Sequence, residues 1–363
     1  MKYNQKELCL LWLDSFIGLE YKHKAELYKR LNNKTSIKEF IKENKGYITE
    51  FIGENNYNTL YSSANQSYLD YVLEPLNKNE VKAVTIDSKG YPNRLKETDI
   101  PPLVLYAKGN TDLLNSDSFA IVGSRKSLPI SIKLAQEYAE KLIEAGLTLV
   151  TGIAEGIDSE VIKAGLKSGK IISVVAGGFN QLYPKTNQAL FERVCKEGLA
   201  VSEHPLDVHP QPYFFPVRNR IIAGLAKGTL IVNGAKKSGT AYTGEFTEEY
   251  GRDLFCIPYN VGVKSGEGNN EFIKRGAKLT DTPNDILEYY NLSVKEEVND
   301  FTDLEKSIIK VLAEGETHLE KIALSVNKKP FEIISTLSLL EIKKVIVKSG
   351  VNVFSLIKAD VEE

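Results

Sequence analysis

Most of the features that mark a specialised class are missing from these 363 residues. The three cysteines, Cys9, Cys195 and Cys256, lie far apart, with no CxxC pair and no Cys/His cluster. That argues against a disulfide framework or a zinc module and makes a reducing compartment the expectation. The apolar run Leu8 to Leu13 is too short for a secretory h-region and is followed by Asp14. No apolar stretch approaches the ~20 residues that span a bilayer, so a cytoplasmic protein with no membrane association is expected. The formal net charge is only −2, so an anionic partner must be met by a local basic patch rather than a global field. The four histidines, His23, His204, His209 and His318, pair with no obvious nucleophile. No GxxxxGK[ST] occurs, which removes the amide cradle and lysine of a P-loop. The first glycine turn reads GSRKSLPIS, not GxGxxG, which counts against a dinucleotide. No catalytic residue, metal or cofactor is expected.

What is present is ordinary globular sequence, 42% hydrophobic and 26% charged, in three blocks. Residues 1–78 carry only helical patterns: Leu8 to Phe16, Lys24 to Leu31, Ile37 to Glu43, Tyr47 to Ile52 and Asn58 to Leu73. They predict a small all-α domain, SAM-like or helix-hairpin-helix-like, the latter for the turn Phe16-Ile17-Gly18-Leu19-Glu20. From Val81 strands appear, and from Phe119 they alternate strictly with helices over 131–146, 159–168, 187–198, 218–226, 241–250, 269–275 and 283–290. Strands such as Ile171 to Ala176 lack polar alternation, as strands buried on both faces do. The fold class expected is α/β: a Rossmann-like, doubly wound, mainly parallel sheet over 79–292. Residues 300–358 read as three helices and a hairpin, a winged helix. Its third helix, PFEIISTLSLLE, is apolar and slightly acidic, better suited to a protein than to a DNA groove.

The organising stretch runs from Phe119 to Asp158. AIV ends in Gly123-Ser124-Arg125-Lys126, and after the intervening helix LTLV ends in TGIAEG. Further exits carry Tyr183-Pro184-Lys185-Thr186-Asn187, Arg218-Asn219-Arg220 behind Phe214-Phe215-Pro216, and Lys236-Lys237-Ser238-Gly239. Loops at the carboxyl ends of parallel strands gather on one edge. Guanidiniums and free amides there suit phosphates, and aromatic faces such as Phe179 and Tyr183 suit unpaired bases. Asp158, at a helix start, is expected to cap rather than catalyse, and Ser238 to serve as an N-cap that leaves amides free for an anion.

The chain resembles the DprA (Smf) family of DNA-processing proteins. The likeness runs from VTIDSKGYPNRLKETDIPPLVLYAKGN through AIVGSR, TGIAEGID, GGFNQLYPKTN, SEHP, FPVRNRIIAGLA, KKSGT, GRDLFCIP and GNNEFIKRGA, to about residue 290. The resemblance implies a protein that binds single-stranded DNA without marked sequence preference and without turnover. It also implies a homodimer formed through the Rossmann-like domain, and loading of the RecA recombinase on DNA in natural transformation. The implied DNA groove comprises Gly123, Ser124, Arg125, Gly152, Ala154, Lys185, Asn187, Arg218, Asn219, Arg220, Ser238 and Gly239.

Departures from the family pattern fall at Val161-Ile162, where Ala-His is usual, at Asn233-Gly234, where Glu-Ala is usual, at Ser238 to Gly244, and at Tyr259 after Pro258. They bear on the groove floor more than on the fold. The alternative is a nucleotide-binding, -processing or -sensing protein on the same scaffold. Its GGxxGT-E pattern is partly echoed by Gly239-Thr240 and Glu245. A structural adaptor is a third reading, opposed by the retained Arg125, Lys185, Arg218 and Arg220.

Overall fold

A computed structural model describes residues 3–16, 19–32, 35–294, 301–343 and 345–357. Its contacts divide the chain into two compact units, Met1–Lys295 and Glu296–Glu363.

Helices α1 (Gln5–Asp14), α2 (Tyr21–Lys29), α3 (Ile37–Glu43), α4 (Lys45–Ser63) and α5 (Gln66–Lys78) open the first unit. Reciprocal capping boxes start two of them, Asn4 with Glu7 and Ser36 with Glu39. The helix expected over Asn58 to Leu73 is two. The chain leaves α4 at Ala64, and the Asn65 side chain, accepting from the Tyr68 N–H at 2.9 Å, caps a new start. Conversely, α4 bridges two expected helices, with a kink at Gly53, whose φ is 76°. Five consecutive residues of α1, Cys9 to Leu13, are buried, because helices cover one side and the sheet the other. Of the suggested hairpin turn, Ile17 and Gly18 lie outside the described residues.

The sheet follows with β1 (Val81–Thr85), α6 (Asn93–Lys96), β2 (Val104–Gly109), β3 (Ser118–Val122), α7 (Pro129–Glu144), β4 (Thr148–Thr151), α8 (Ile157–Leu166), β5 (Ile171–Val174), α9 (Gln188–Glu197) and β6 (Leu199–Ser202). It continues through α10 (Phe214–Leu225), β7 (Gly228–Ile231), α11 (Gly239–Glu249), β8 (Asp253–Cys256), α12 (Glu267–Lys274), β9 (Lys278–Leu279) and α13 (Pro283–Tyr289). The strand order is β1-β2-β6-β5-β4-β3-β7-β8-β9. From β6 to β9 every pairing is parallel, whereas β1 with β2, and β2 with β6, pair antiparallel. Every residue of β3 to β7 is buried, as helices on both faces require. The result is a mixed α/β fold of Rossmann type with a largely parallel sheet.

The second unit holds α14 (Asp303–Ala313), β10 (Thr317–His318), α15 (Leu319–Ser325), α16 (Pro330–Ile342), β11 (Ile346–Gly350) and β12 (Val353–Leu356), with antiparallel sheet order β10-β12-β11. Its own small core contains Ile308, Leu312, Ile322, Ile333, Leu337, Leu340, Ile346 and Phe354. On the other side of α16, Phe331, Ile334, Leu339 and Ile342 are exposed.

Candidate functional site

β3 stands between β4, which follows it in sequence, and β7, which the chain reaches only after returning past β4 to β6. The connections therefore run in opposite directions from this point, and a crevice opens beyond the strand ends. One wholly buried side chain ties the two exits together. The Oδ1 of Asn233, just after β7, accepts from the Ser124 N–H at 2.9 Å and from the Ser127 hydroxyl at 3.2 Å. This residue is one of the family departures, and it fixes the loop after β3. Gly156 lets the next exit pass beneath that loop. Its φ is +79°, and a Cβ there would meet the Ser124 and Arg125 carbonyl oxygens at 2.5 Å.

Helix α10 supplies the opposite wall. Phe215, Arg218, Asn219 and Ile222 share one face by their i, i+3, i+4, i+7 spacing, and all four line the cleft. Arg218 is buried, its Nη1 donating to the Val174 carbonyl and its Nε to Asn219 Oδ1 at 3.1 Å. Asn219 in turn donates from Nδ2 to the Gly239 carbonyl at 2.9 Å. α10 is thereby joined to the end of β5 and to the start of α11. Ser238 caps α11, its Oγ accepting from the Ala241 N–H at 3.4 Å.

Asp158 accepts from the Ala154 N–H at 3.2 Å, so it stabilises the turn before α8 and belongs to the floor. Burial raises its carboxyl above the ordinary value, although the Arg218 guanidinium and that N–H both favour the anion. Burial pulls Arg218 down to about 10, with Asp158 opposing and Arg125 adding to the shift. Arg218 is therefore cationic at neutral pH, and its charge faces a carboxyl within the protein.

The cleft between these walls measures about 540 Å³. A side pocket of about 100 Å³ adjoins it, sharing Arg125, Ala154, Phe215 and Arg218. The Arg125 guanidinium lies 5.5 Å from the centroid of the Phe215 ring, and Tyr183 meets that ring edge-on at 5.7 Å. Among the described residues, Arg125, Lys126, Lys185 and Lys237 form no ion pair, unlike Lys236, which pairs with Glu271 at 3.2 Å. Cations without carboxylate partners, free amides at a helix start and exposed aromatic rings are the groups that hold phosphates and stack bases.

Of the residues expected from sequence, Gly123, Ser124, Arg125, Ala154, Arg218, Asn219, Ser238 and Gly239 line the cleft. Gly152 lies beneath it, where a Cβ would meet Asp158 Oδ2 at 2.3 Å and the Arg218 guanidinium at 2.8 Å. Its smallness makes room for those two groups rather than for a ligand. Lys185 is exposed in the turn after Pro184, which lines the side pocket, but does not line the cleft itself. Asn187 is engaged within the fold, donating to the Ile153 carbonyl at 2.8 Å and to Ser159 Oγ at 3.1 Å. Arg220 is buried and paired with Glu203, away from the cleft. The reason is helical geometry: residues two apart on a helix point about 200° apart, so Arg218 and Arg220 cannot face the same way. Phe179 is buried against Phe191 at 5.6 Å, which leaves Tyr183 as the exposed face of the expected pair. His204 stacks on Phe214 at 4.2 Å, and burial lowers its pKa. Lys126, read in the sequence as part of the basic exit after β3, also lines the cleft, and Phe215, Thr240, Tyr242 and Thr243 line it without having been assigned to it; the periodicity of α10 was the available signal for Phe215. Glu245, needed by the nucleotide-processing pattern, is exposed and absent from the lining.

Fold and site define a Rossmann-type α/β protein with a cationic, partly aromatic cleft at the switch point of its sheet. The family model of DNA recombination-mediator protein A matches residues 82–291. The chain belongs to that family of DprA-type DNA-processing proteins. It is 36% identical over 222 residues to the DNA processing protein DprA of Bacillus subtilis, covering 61% of this chain and 75% of that one. It is 39% identical over 207 residues to the Smf protein of Escherichia coli, covering 56% of this chain and 55% of that one. Among solved structures, DprA from Streptococcus pneumoniae superposes with a TM-score of 0.67 at 28% identity, over 79% of this chain and 98% of that one. DNA processing protein A from Helicobacter pylori, described for its single-stranded DNA binding mode, superposes with a TM-score of 0.54 at 25% identity, over 58% and 96%.

Proposed function

We propose that the cleft binds single-stranded DNA and that the protein acts by holding the strand, with no chemical turnover and no cofactor. The observation that carries this reading is Arg125, an unpaired guanidinium at the exit of the central strand, beside Phe215 and between the two cavities. It offers a phosphate contact and a planar stacking surface together. The single-stranded DNA binding mode of the Helicobacter pylori relative supports the same assignment. On this reading the protein protects incoming or processed single strands in the cytoplasm and loads the RecA recombinase during natural transformation, as a homodimer. Residues 1–78, 79–292 and 300–358 act as a helical domain, the DNA-binding domain and a winged helix. The exposed Phe331, Ile334, Leu339 and Ile342 suit the last to a protein partner rather than a DNA groove.

The test is fluorescence anisotropy of a labelled oligothymidine across a salt series, with wild type and Arg125→Ala. Binding that weakens along a linear log–log salt slope, and that Arg125→Ala lowers at least tenfold, is expected. A folded wild-type protein that binds no oligomer even at low salt overturns the proposal.

A further inference from the structure

Helix α16 carries its outward residues in a symmetric order. Phe331 and Ile342 stand equally far from the midpoint between Thr336 and Leu337, as do Ile334 and Leu339, and Ser335 and Ser338. At about 100° per residue, these six fall within about 70° of one direction. All six are exposed, whereas Ile333, Leu337 and Leu340 on the opposite side are buried in the core of the second unit. The symmetry extends to Glu332 and Glu341, which are also exposed and flank the stripe, one on each edge. Large apolar side chains thus occupy the two ends of the stripe, and two small ones its centre.

A partner of unrelated shape gives no reason for that order, but a two-fold axis does. In an isologous contact residue i meets j while j meets i, so one patch must be complementary to itself. Two copies of α16 laid antiparallel, with the axis through the midpoint, put Phe331 of each on Ile342 of the other and Ile334 on Leu339. Ser335 and Ser338 meet at the centre, where small side chains let helix axes approach to about 8 Å. The two glutamates disfavour a nucleic-acid backbone along the edges. The cations stand at the ends, Lys329 at 5.9 Å from the Phe331 ring centroid and Lys343 paired with Glu305 at 2.6 Å. We propose that the outer face of α16 is a self-association surface, on which a second copy of this chain packs antiparallel through the same helix. This names the protein partner suggested above for the second unit and does not depend on the DNA reading of the cleft.

Sedimentation equilibrium of the full chain across a concentration series tests it with wild type, Phe331→Glu, Ile342→Lys and an equimolar mixture of the two variants. Any association through the first unit is common to all four samples, so differences between them report α16. A contact of two helices this short lies below the roughly 1,200 Å² at which stable interfaces begin, so the wild-type step is expected to be weak and concentration-dependent. Either variant alone buries a charge against an apolar end in both halves of the contact, and weakens association about tenfold or more. The mixture restores it to within about threefold of wild type. One end then keeps Phe331 on Ile342, and the other sets the introduced carboxylate against the introduced ammonium. Both positions are exposed, so the urea midpoints of the variants stay at the wild-type value. Wild type whose association neither variant changes overturns self-pairing and leaves a different protein as the partner of this face. Variants that weaken association without rescue in the mixture overturn the antiparallel contact and the proposal with it. Neither result bears on the cleft, which the Arg125→Ala anisotropy titration decides.

Discussion

The cleft beyond β3 and the outer face of α16 are both exposed surfaces, and their chemistries are opposite. The cleft exposes Arg125 and Lys126 without carboxylate partners, beside rings of Phe215 and Tyr242. The α16 face exposes Phe331, Ile334, Leu339 and Ile342, with Ser335 and Ser338 between them in sequence. A polyanion gains from the first by counterion release and stacking, and gains nothing comparable from the second. A mainly apolar face, with one cation at its edge where Lys329 lies 5.9 Å from the Phe331 ring centroid, suits a protein surface. A second contrast holds between the arginines of the binding motif. Among the described residues Arg125 forms no ion pair, whereas Arg218 and Arg220 are interior charges faced by Asp158 and Glu203 respectively. The general lesson is that a basic side chain in a nucleic-acid-binding motif serves either the ligand or the fold, and burial decides which.

The largest effect that would sharpen this contrast is on stability. Arg220→Ala empties a buried site and leaves the partly buried Glu203, its side chain 13% exposed, unpaired, and is expected to cost about 3 kcal/mol in urea unfolding, the low end for broken buried pairs. The fraction that stays folded should bind oligothymidine as wild type does; a tenfold affinity loss without destabilisation would place Arg220 in the groove after all. Arg125→Ala should show the reverse, with stability within about 0.5 kcal/mol of wild type and a salt slope reduced by about one. Phe215→Ala should weaken single-strand binding by about 1–3 kcal/mol, the worth of one stacked base, read by the same anisotropy titration. Phe331→Glu, on α16, should change oligothymidine affinity less than about twofold, since it alters no phosphate contact in the cleft. An effect rivalling that of Arg125→Ala would break the division between the two surfaces.

The smallest predicted effect is a pH dependence. Because burial raises the Asp158 pKa in the folded state above its unfolded value, its protonated form is the one that folding favours. Its contribution to stability is therefore full below the unfolded pKa of about 3.9 and is lost as pH rises through the folded value. Asp158→Asn, fixed in the neutral form, should gain stability relative to wild type between pH 4 and pH 7. A difference that is flat or falls over that range in urea titrations would mean that the Arg218 guanidinium outweighs burial at this carboxyl.

Much of this architecture is legible in the residues. Ala120-Ile121-Val122 and Ile171 to Val174 lack polar alternation, and both are central strands buried on both faces. The glycine-bearing exits GSR and TGIAEG mark the loops that form one side of the cleft. The break at Asn65 was harder to read, because helical periodicity continues on either side of it and only a cap separates α4 from α5. Pairing partners of β1 and β2 were also out of reach, since antiparallel addition at the β6 edge depends on contacts about a hundred residues apart in sequence.

The sequence by itself determined the α/β alternation, the switch from helical to strand pattern at Val81, and the residue types gathered at the strand exits. These follow from short-range periodicity, turn chemistry and the rule that carboxyl-end loops share an edge. Tertiary structure alone decided which of those residues meet the cleft. Asp158 precedes Arg218 by 60 positions, Glu203 lies 17 before Arg220, and Asn233 reaches back 109 residues to Ser124. Charge and type are local properties, but whether a cation is neutralised inside the fold or left free for a ligand depends on what the folded chain brings beside it.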